Sequence, residues 1–334
     1  MGAVLTALGT MGAVVAVGWL LGRYRVLGER AAPVLARVVF AVATPALLLG
    51  TLAHADLRLL LSRTAAVTWA STALVALAAA LVLRLVLRRG AADVTVGTLA
   101  SSYVNAGNIG LPLAVYLLDD PVVVVPTLLF QLLVLAPAAF TVLDGAAAAR
   151  RRADEAVAGG PAAADGRGAA DVAAVVPWAV RVRAVVRRTL TNPIILGTLA
   201  GVVLAALPWD LPEVVFEPFR LVGAAAAPLA LLTFGMQLAV PRTSGASAPR
   251  ADLALAVALR SVVQPALAWA LGTALGLSGS ALLAVTAMAA LPTAQNVLVY
   301  AMQYRHGEAL ARDAGLVTTL LCVPVLLVVA ATLG

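Results

Sequence analysis

The sequence predicts an all-α membrane protein of ten transmembrane helices, arranged as two inverted five-helix repeats whose fourth and ninth helices are broken and cross. Three observations predict it. First, 62% of the 334 residues are apolar and only 12% charged, against about 45–50% and about 25% in a soluble domain. Sixteen acids and twenty-three bases cannot cover a globule of this size, so the excess apolar area faces a bilayer. Second, the chain divides into ten apolar stretches, each near the roughly 20 residues that a helix needs to cross a hydrocarbon core of about 30 Å. Third, short motifs recur at a nearly constant offset on either side of a polar centre.

The stretches run at 3–22, 31–53, 64–87, 93–118, 121–143, 190–208, 213–240, 251–276, 280–304 and 312–333. The first lacks a basic leader and a small-residue cleavage site, and is expected as a retained helix rather than a signal peptide. The second to fifth lie between clusters of charge or turn residues, and Pro112 and Pro137 fall inside the fourth and fifth. Residues 144–171 are Ala, Gly, Asp and Arg with almost nothing to bury, which describes a linker. Residues 172–189 add Val, Ala and Trp178 to Arg181, Arg183, Arg187 and Arg188, so this part reads either as a helix on an anionic leaflet or as a solvated spacer. The sixth and seventh stretches follow. Residues 261–304 contain no charge, and the Leu-Ser-Gly-Ser turn at 277–280 divides the eighth from the ninth. The tenth carries Pro324. The domains expected are therefore 1–143, the linker 144–189, and 190–334.

Orientation follows from the bases, all arginine. With the N-terminus outside, only Arg58, Arg63 and Arg220 fall on the outer side. The positive-inside rule then puts both termini outside and 144–189 in the cytoplasm of a cell with a plasma (inner) membrane. The basic composition thus needs no nucleic-acid partner. Arg37 lies near the inner surface and reads as an anchor. Arg260, deepest of the bases, is expected to snorkel to the inner interface, to meet an anion on its path, or to pair with Asp252.

The repeat is carried by LGTMGAVVAV at 8–17 against LGTLAGVVLA at 196–205, ATPALLL at 43–49 against AAPLALL at 226–232, and Pro137 against Pro324. Five spans on each side of the linker make the halves inverted, and such folds place their binding site at discontinuous helices near the midplane. In the fourth span NAGNIGLP at 105–112 gathers Gly107, Gly110 and Pro112 with Asn105 and Asn108. In the ninth, LPTAQN at 291–296 supplies Pro292, Thr293, Gln295 and Asn296. Proline in a helix interior removes a donor and costs about 3 kcal/mol or more, and isolated kinks do not require amides beside them.

These runs, the ten-span layout, the central loop, and Arg260 followed by Pro265 resemble the auxin efflux carrier family, which includes plant PIN-formed exporters and bacterial malate or malonate permeases. The resemblance covers the whole chain apart from 144–189. It implies the fold of bile-acid symporters and sodium/proton antiporters, in which an elevator-like transport domain moves against a scaffold, and it favours a homodimer through scaffold helices. Asn105, Asn108 and Pro112 match the fourth-span motif, and Pro292 with Thr293 to Asn296 matches the ninth. The spacing of asparagine and proline departs from the plant proteins, so auxin is a poor guess for the substrate.

The second half-helices are expected to begin near Leu113 and Thr293, with N-termini that favour an anion. Asn105, Asn108, Gln295 and Asn296 can donate to carboxylate oxygens, as can the Thr293 hydroxyl. The expected substrate is a small organic anion. No acid falls deep in a span, so proton coupling through buried carboxylates has no candidate. Coupling to Na+ through carbonyls and amides stays open, with Gln237 and Gln264 among the candidates for ion or path residues, and a sodium-coupled symporter of the bile-acid type is the alternative. No cofactor is expected. Zinc motifs, paired intramembrane acids and Ser/His dyads are missing from the sequence, which argues against an enzyme.

Overall fold

The computed structural model describes residues 2–28, 30–54, 62–158, 191–207, 212–239 and 247–333, together with Arg183 and Arg187. The expected linker and leaflet helix, and with them Asp56, Arg58, Asp210 and Arg242, lie outside the described residues apart from the helical stretch up to Ala158. Regular structure among the described residues is helical throughout, with one isolated β-bridge.

The helices in chain order are α1 (Gly2–Arg23), α2 (Ala31–Leu52), α3 (Arg63–Val86), α4 (Ala91–Ser102), α5 (Leu111–Tyr116), α6 (Pro121–Arg150), α7 (Pro193–Ala206), α8 (Glu213–Leu238), α9 (Arg250–Ala274), α10 (Gly279–Ala289), α11 (Gln295–Tyr304) and α12 (Glu308–Leu333). Six of them, α2, α3, α6, α8, α9 and α12, are long and apolar enough to cross a membrane. The protein is a multi-pass α-helical membrane protein.

Local sequence explains where helices start and where they deform. The side chains of Ser62, Asp120 and Asn192 accept from backbone N–H groups two or three residues on, at 3.4, 2.9 and 2.9 Å, and so cap α3, α6 and α7. Four prolines inside the bundle share one device. Pro45, Pro112, Pro137 and Pro265 each follow by two residues the end of a wide π-turn, at Val39–Ala43, Ala106–Gly110, Gln131–Leu135 and Leu259–Val263. A proline ring crowds the carbonyl one turn back and offers it no N–H. The extra residue in a π-turn makes room for the ring without ending the helix.

Packing sorts the helices into two groups. α1 lies along the second half of α8, and the second half of α2 packs on α7 and on the first half of α8. Elsewhere α3 meets α4 and α9, α4 meets α6, and α10 and α11 meet α12. Lipid supplies no hydrophobic drive between helices, so close backbone approach and van der Waals contact carry the association. At the α1–α8 contact a Cβ on Gly18 would run into the Leu232 carbonyl, and one on Gly235 into that of Val15. Only glycine permits that approach. In the other group, Arg89 donates to Asp252 Oδ1 from both Nε, at 3.2 Å, and Nη2, at 2.9 Å, which ties the turn after α3 to the start of α9. Asp252 is therefore partnered by Arg89, not by Arg260.

Candidate functional site

Two segments leave the helical path beside one another. Tyr103, Val104 and Asn105 separate α4 from the wide turn that leads into α5, and Ala290 to Ala294 separate α10 from α11. The segments pair with each other. Val104 and Thr293 form an antiparallel bridge, Asn105 N–H donates to the Pro292 carbonyl at 2.8 Å, and Ala294 N–H donates to that of Tyr103 at 2.9 Å. Backbone freed from a helix and buried inside the bundle must be satisfied by protein. The remaining donors are met by side chains of neighbouring helices. Val104 N–H donates to Gln131 Oε1 of α6 at 2.5 Å, and Thr293 N–H to Thr318 Oγ1 of α12 at 3.0 Å. The Thr293 hydroxyl donates to the Ala100 carbonyl at 2.6 Å.

Arg260 closes the other side of the junction. Its side chain is fully buried. Nη1 donates to the carbonyl of Ser102, the last residue of α4, at 3.3 Å, and Nη2 donates to that of Ala289, the last residue of α10. One guanidinium thus serves the C-terminal ends of both first half-helices, where partial negative charge collects.

A cavity of about 340 Å³ lies against the two segments. One wall consists of Tyr103 to Asn108, Leu128, Gln131 and Leu132, with Ala294, Gln295, Asn296 and Val299. The opposite wall comes from the other packing group: Pro33, Ala36, Arg37, Val39, Phe40 and Thr44 of α2, Ile194 of α7 and Gln237 of α8. Asn105 is 4% exposed, and its Nδ2 is a buried donor with no partner. Its Oδ1 accepts from Asn108 N–H at 3.3 Å and caps the turn that opens toward α5. Asn108 Nδ2 lies 3.5 Å from Gln295 Oε1, so the amides of the two segments face each other across the cavity floor. Gln237 Oε1 is likewise buried and unpartnered. Polar atoms without protein partners in a low-dielectric site are strong incentives for a ligand that can use them.

Of the residues singled out from sequence, Asn105, Asn108, Gln295, Asn296 and Gln237 line this cavity, whereas Gly110, Pro112, Pro292, Thr293, Arg260 and Gln264 do not. Gly110 is a contact point, since a Cβ there would stand 2.8 Å from Leu291 Cδ1. Pro112 is buried at the start of α5. Pro292 and Thr293 carry the pairing described above. Gln264 donates from Nε2 to Thr72 Oγ1 of α3 at 3.1 Å and lies away from the cavity. The second half-helices, expected to begin near Leu113 and Thr293, begin at Leu111, after the wide turn from Ala106, and at Gln295. Arg260 is fully buried against the carbonyls of Ser102 and Ala289 and is not among the residues that line the cavity. Arg37 is a charged cavity residue that sequence reasoning read only as an anchor. It resembles a surface anchor by position, and it lines the same cavity as Asn105 and Gln295.

A cavity of this kind inside a helical bundle that spans the bilayer defines the class: a membrane transport protein. The chain belongs to the membrane transport protein family (Mem_trans), which matches residues 4–330, in agreement with the resemblance to auxin efflux carriers. It is a transporter, not an enzyme. Among curated proteins it is similar to one named "Putative malonate transporter" from Rhizobium meliloti (strain 1021), with 34% identity over 141 residues. That alignment takes in 42% of this chain and 43% of the relative, so the chain matches less than half of the relative's length.

Proposed function

We propose that the chain is a secondary carrier that moves a small organic carboxylate across the plasma membrane by alternating access, with the anion held in the cavity at the paired segments. One observation carries the reading. The wide turn that leads into α5, from Ala106, and the start of α11, at Gln295, line the same cavity as the unpartnered Asn105 amide and Arg37. Helix N-termini favour anions, amides bond carboxylate oxygens, and arginine adds a full positive charge. The relative's name makes malonate the first compound to try.

In this reading the ten stretches are ten spans in two inverted repeats, with α4–α5 and α10–α11 as the two broken spans. The contact pattern supports it. The pairing of α1 with α8 is matched by that of α7 with α2, and the pairing of α3 with α4 by that of α9 with α10. The group of α1, α2, α7 and α8 is the scaffold, and the other helices form the moving body of an elevator, with the cavity at their boundary. Both termini face outward and 144–189 faces the cytoplasm. The carrier works as a homodimer through its scaffold.

The test is flux in proteoliposomes. Protein reconstituted with labelled malonate, and then with a series of mono- and dicarboxylates, exchanges or releases at least one of them faster than empty vesicles. If none moves under an imposed substrate, voltage or pH gradient, the carrier reading fails.

A further inference from the structure

A second cavity, of about 410 Å³, lies between α3, α4 and α6, and none of its lining residues belongs to the paired segments. Small side chains make the room, with Ala80 on α3, Ala91 on α4, and Ala138 and Ala139 on α6. Along α4 the lining runs from Ala91 to Leu99, about 12 Å at 1.5 Å per residue. It is apolar except for Arg84, Thr95 and Thr98. Arg84, Ala91 and Ala138 are exposed and Val142 is 42% exposed, so the groove is open along the flank of the bundle, where hydrocarbon is the solvent.

The groove has a direction. α3 ends and α4 begins at a basic face that holds Arg88 and Arg89, and α6 ends there too, since Arg150 donates to His306, which lies 3.7 Å from Asp93 Oδ1. Arg84 stands toward that face. It donates from Nη1 to the Arg89 carbonyl at 3.0 Å, and no acid pairs with it among the described residues. A Cβ on Gly97 would stand 2.6 Å from Leu83 Cδ1, so the next residue on each helix, Arg84 and Thr98, lies at a similar depth. Thr95, Ser101 and Ser102 donate their hydroxyls to the carbonyls four residues back, at 2.7–2.8 Å. Thr98 Oγ1 does not. It is buried and has no partner.

We propose that this groove binds an anionic phospholipid, with its phosphate on Arg84, its ester region on the Thr98 hydroxyl, and one acyl chain along α3, α4 and α6. A cation at one end of an apolar, laterally open groove matches the two-part chemistry of a lipid, and basic pockets between membrane helices hold anionic headgroups. The guanidinium can meet phosphate oxygens two at a time. The acyl chain fills space that alanines leave and that water would not wet. The site is separate from the carboxylate cavity and independent of the carrier reading.

The experiment adds dioleoyl phosphatidylglycerol, dioleoyl phosphatidylcholine or glycerol phosphate to delipidated protein in detergent, and follows melting together with the mass of the intact complex. Phosphatidylglycerol raises the melting temperature by several degrees, because specific binding stabilises by mass action, and stays on as a one-to-one adduct. Phosphatidylcholine with the same chains and glycerol phosphate do neither. Arg84→Gln raises the half-saturating phosphatidylglycerol concentration about tenfold, whereas Arg88→Gln, on the same basic face but outside the groove, leaves it within about twofold. Ala138→Leu fills the groove from an exposed position and abolishes the adduct. Equal retention of the two lipids overturns the proposal, as does an Arg84→Gln or Ala138→Leu protein that binds like wild type. Stabilisation by glycerol phosphate alone would mean a site for a free anion, and a lipid-free dimer in which Ala138→Leu breaks the association would mean that a second copy covers the groove; either result also overturns it. Should a variant not fold, the comparison of the two lipids on wild type decides. None of these measurements needs a transported substrate, so their outcome stands apart from that of the flux assay.

Discussion

The backbone N–H of Asn105 donates to the carbonyl of Pro292 at 2.8 Å, across 187 positions of sequence. With the reciprocal bond from Ala294 to Tyr103 it makes each helix interruption the partner of the other. A buried, unpaired peptide group costs on the order of several kcal/mol, and each break exposes several. The two interruptions are therefore tolerable together and costly apart. Chemical consequences follow for the residues beside them.

Asn105→Ala removes both the unpartnered Nδ2 donor in the cavity and the Oδ1 that accepts from Asn108 N–H. Loss of a hydrogen bond to a charged group corresponds to about tenfold or more in affinity, and loss of a helix cap to about 1 kcal/mol. The expected outcome is a rise in the half-saturating carboxylate concentration of about tenfold, with a small fall in melting temperature. Unchanged saturation kinetics would remove Asn105 from the substrate site.

Gly107 lines the cavity, and a Cβ placed on it meets nothing within 4 Å. Gly107→Leu therefore puts its side chain into the cavity without displacing the fold. Transport is expected to fall by about a hundredfold, the cost of roughly 3 kcal/mol of overpacking on a bound ligand, while the melting temperature stays within a degree or two. Flux and thermal melting on the same preparation check both parts. An active Gly107→Leu carrier would place the substrate elsewhere.

Arg37 reaches the cavity from the α2 wall and has neither an ion-pair nor a hydrogen-bond partner among the described residues. Arg37→Gln keeps a donor but removes the charge, and weakens anion binding by about tenfold at low salt. The same substitution changes stability little, since no ion pair or hydrogen bond to the described residues is lost. The difference between wild type and variant shrinks as ionic strength rises, which a salt series of transport assays measures.

Gly235→Ala drives a methyl into the Val15 carbonyl at the α1–α8 contact. Backbone cannot yield as a side-chain tip does, so the helices must separate, at a cost of about 3 kcal/mol. Gly12→Ala on the same α1 meets nothing within 4 Å and serves as the control. Thermal melting in detergent should separate the two by several degrees. Equal melting points would mean that α1 and α8 are free to shift relative to one another.

Much of the arrangement around the interruptions is written locally. Asparagine and glycine before Pro112, and the proline-threonine run before Gln295, mark where a helix cannot continue unaided, and those are signals within a few residues. The roles of Thr293, Gln131 and Arg260 are not local. Each depends on a partner 27 to 193 positions away, and nothing in composition or spacing says which carbonyl or N–H a buried polar group will face. Thr293 reads as a ligand from its neighbours and serves the Ala100 carbonyl in the fold. Arg37 shows the converse. Its position near an end of α2 has the pattern of an anchor, and only the fold makes α2 one wall of the cavity. The π-turns belong to the same category, because proline announces a deformation but not whether the helix will kink, stop or widen.

The bridge between Val104 and Thr293 also bears on how this protein can be re-engineered. A motif transplanted from a relative into residues 103–112 alone would arrive without the strand it pairs with, and the recipient's 290–294 would offer groups set to a different register. The smallest exchangeable module is discontinuous: both segments, together with Gln131, Thr318 and Arg260, which hold them. Libraries aimed at a new substrate should vary Asn108, Gln295 and Arg37, whose side chains reach the cavity, and leave that five-part module intact.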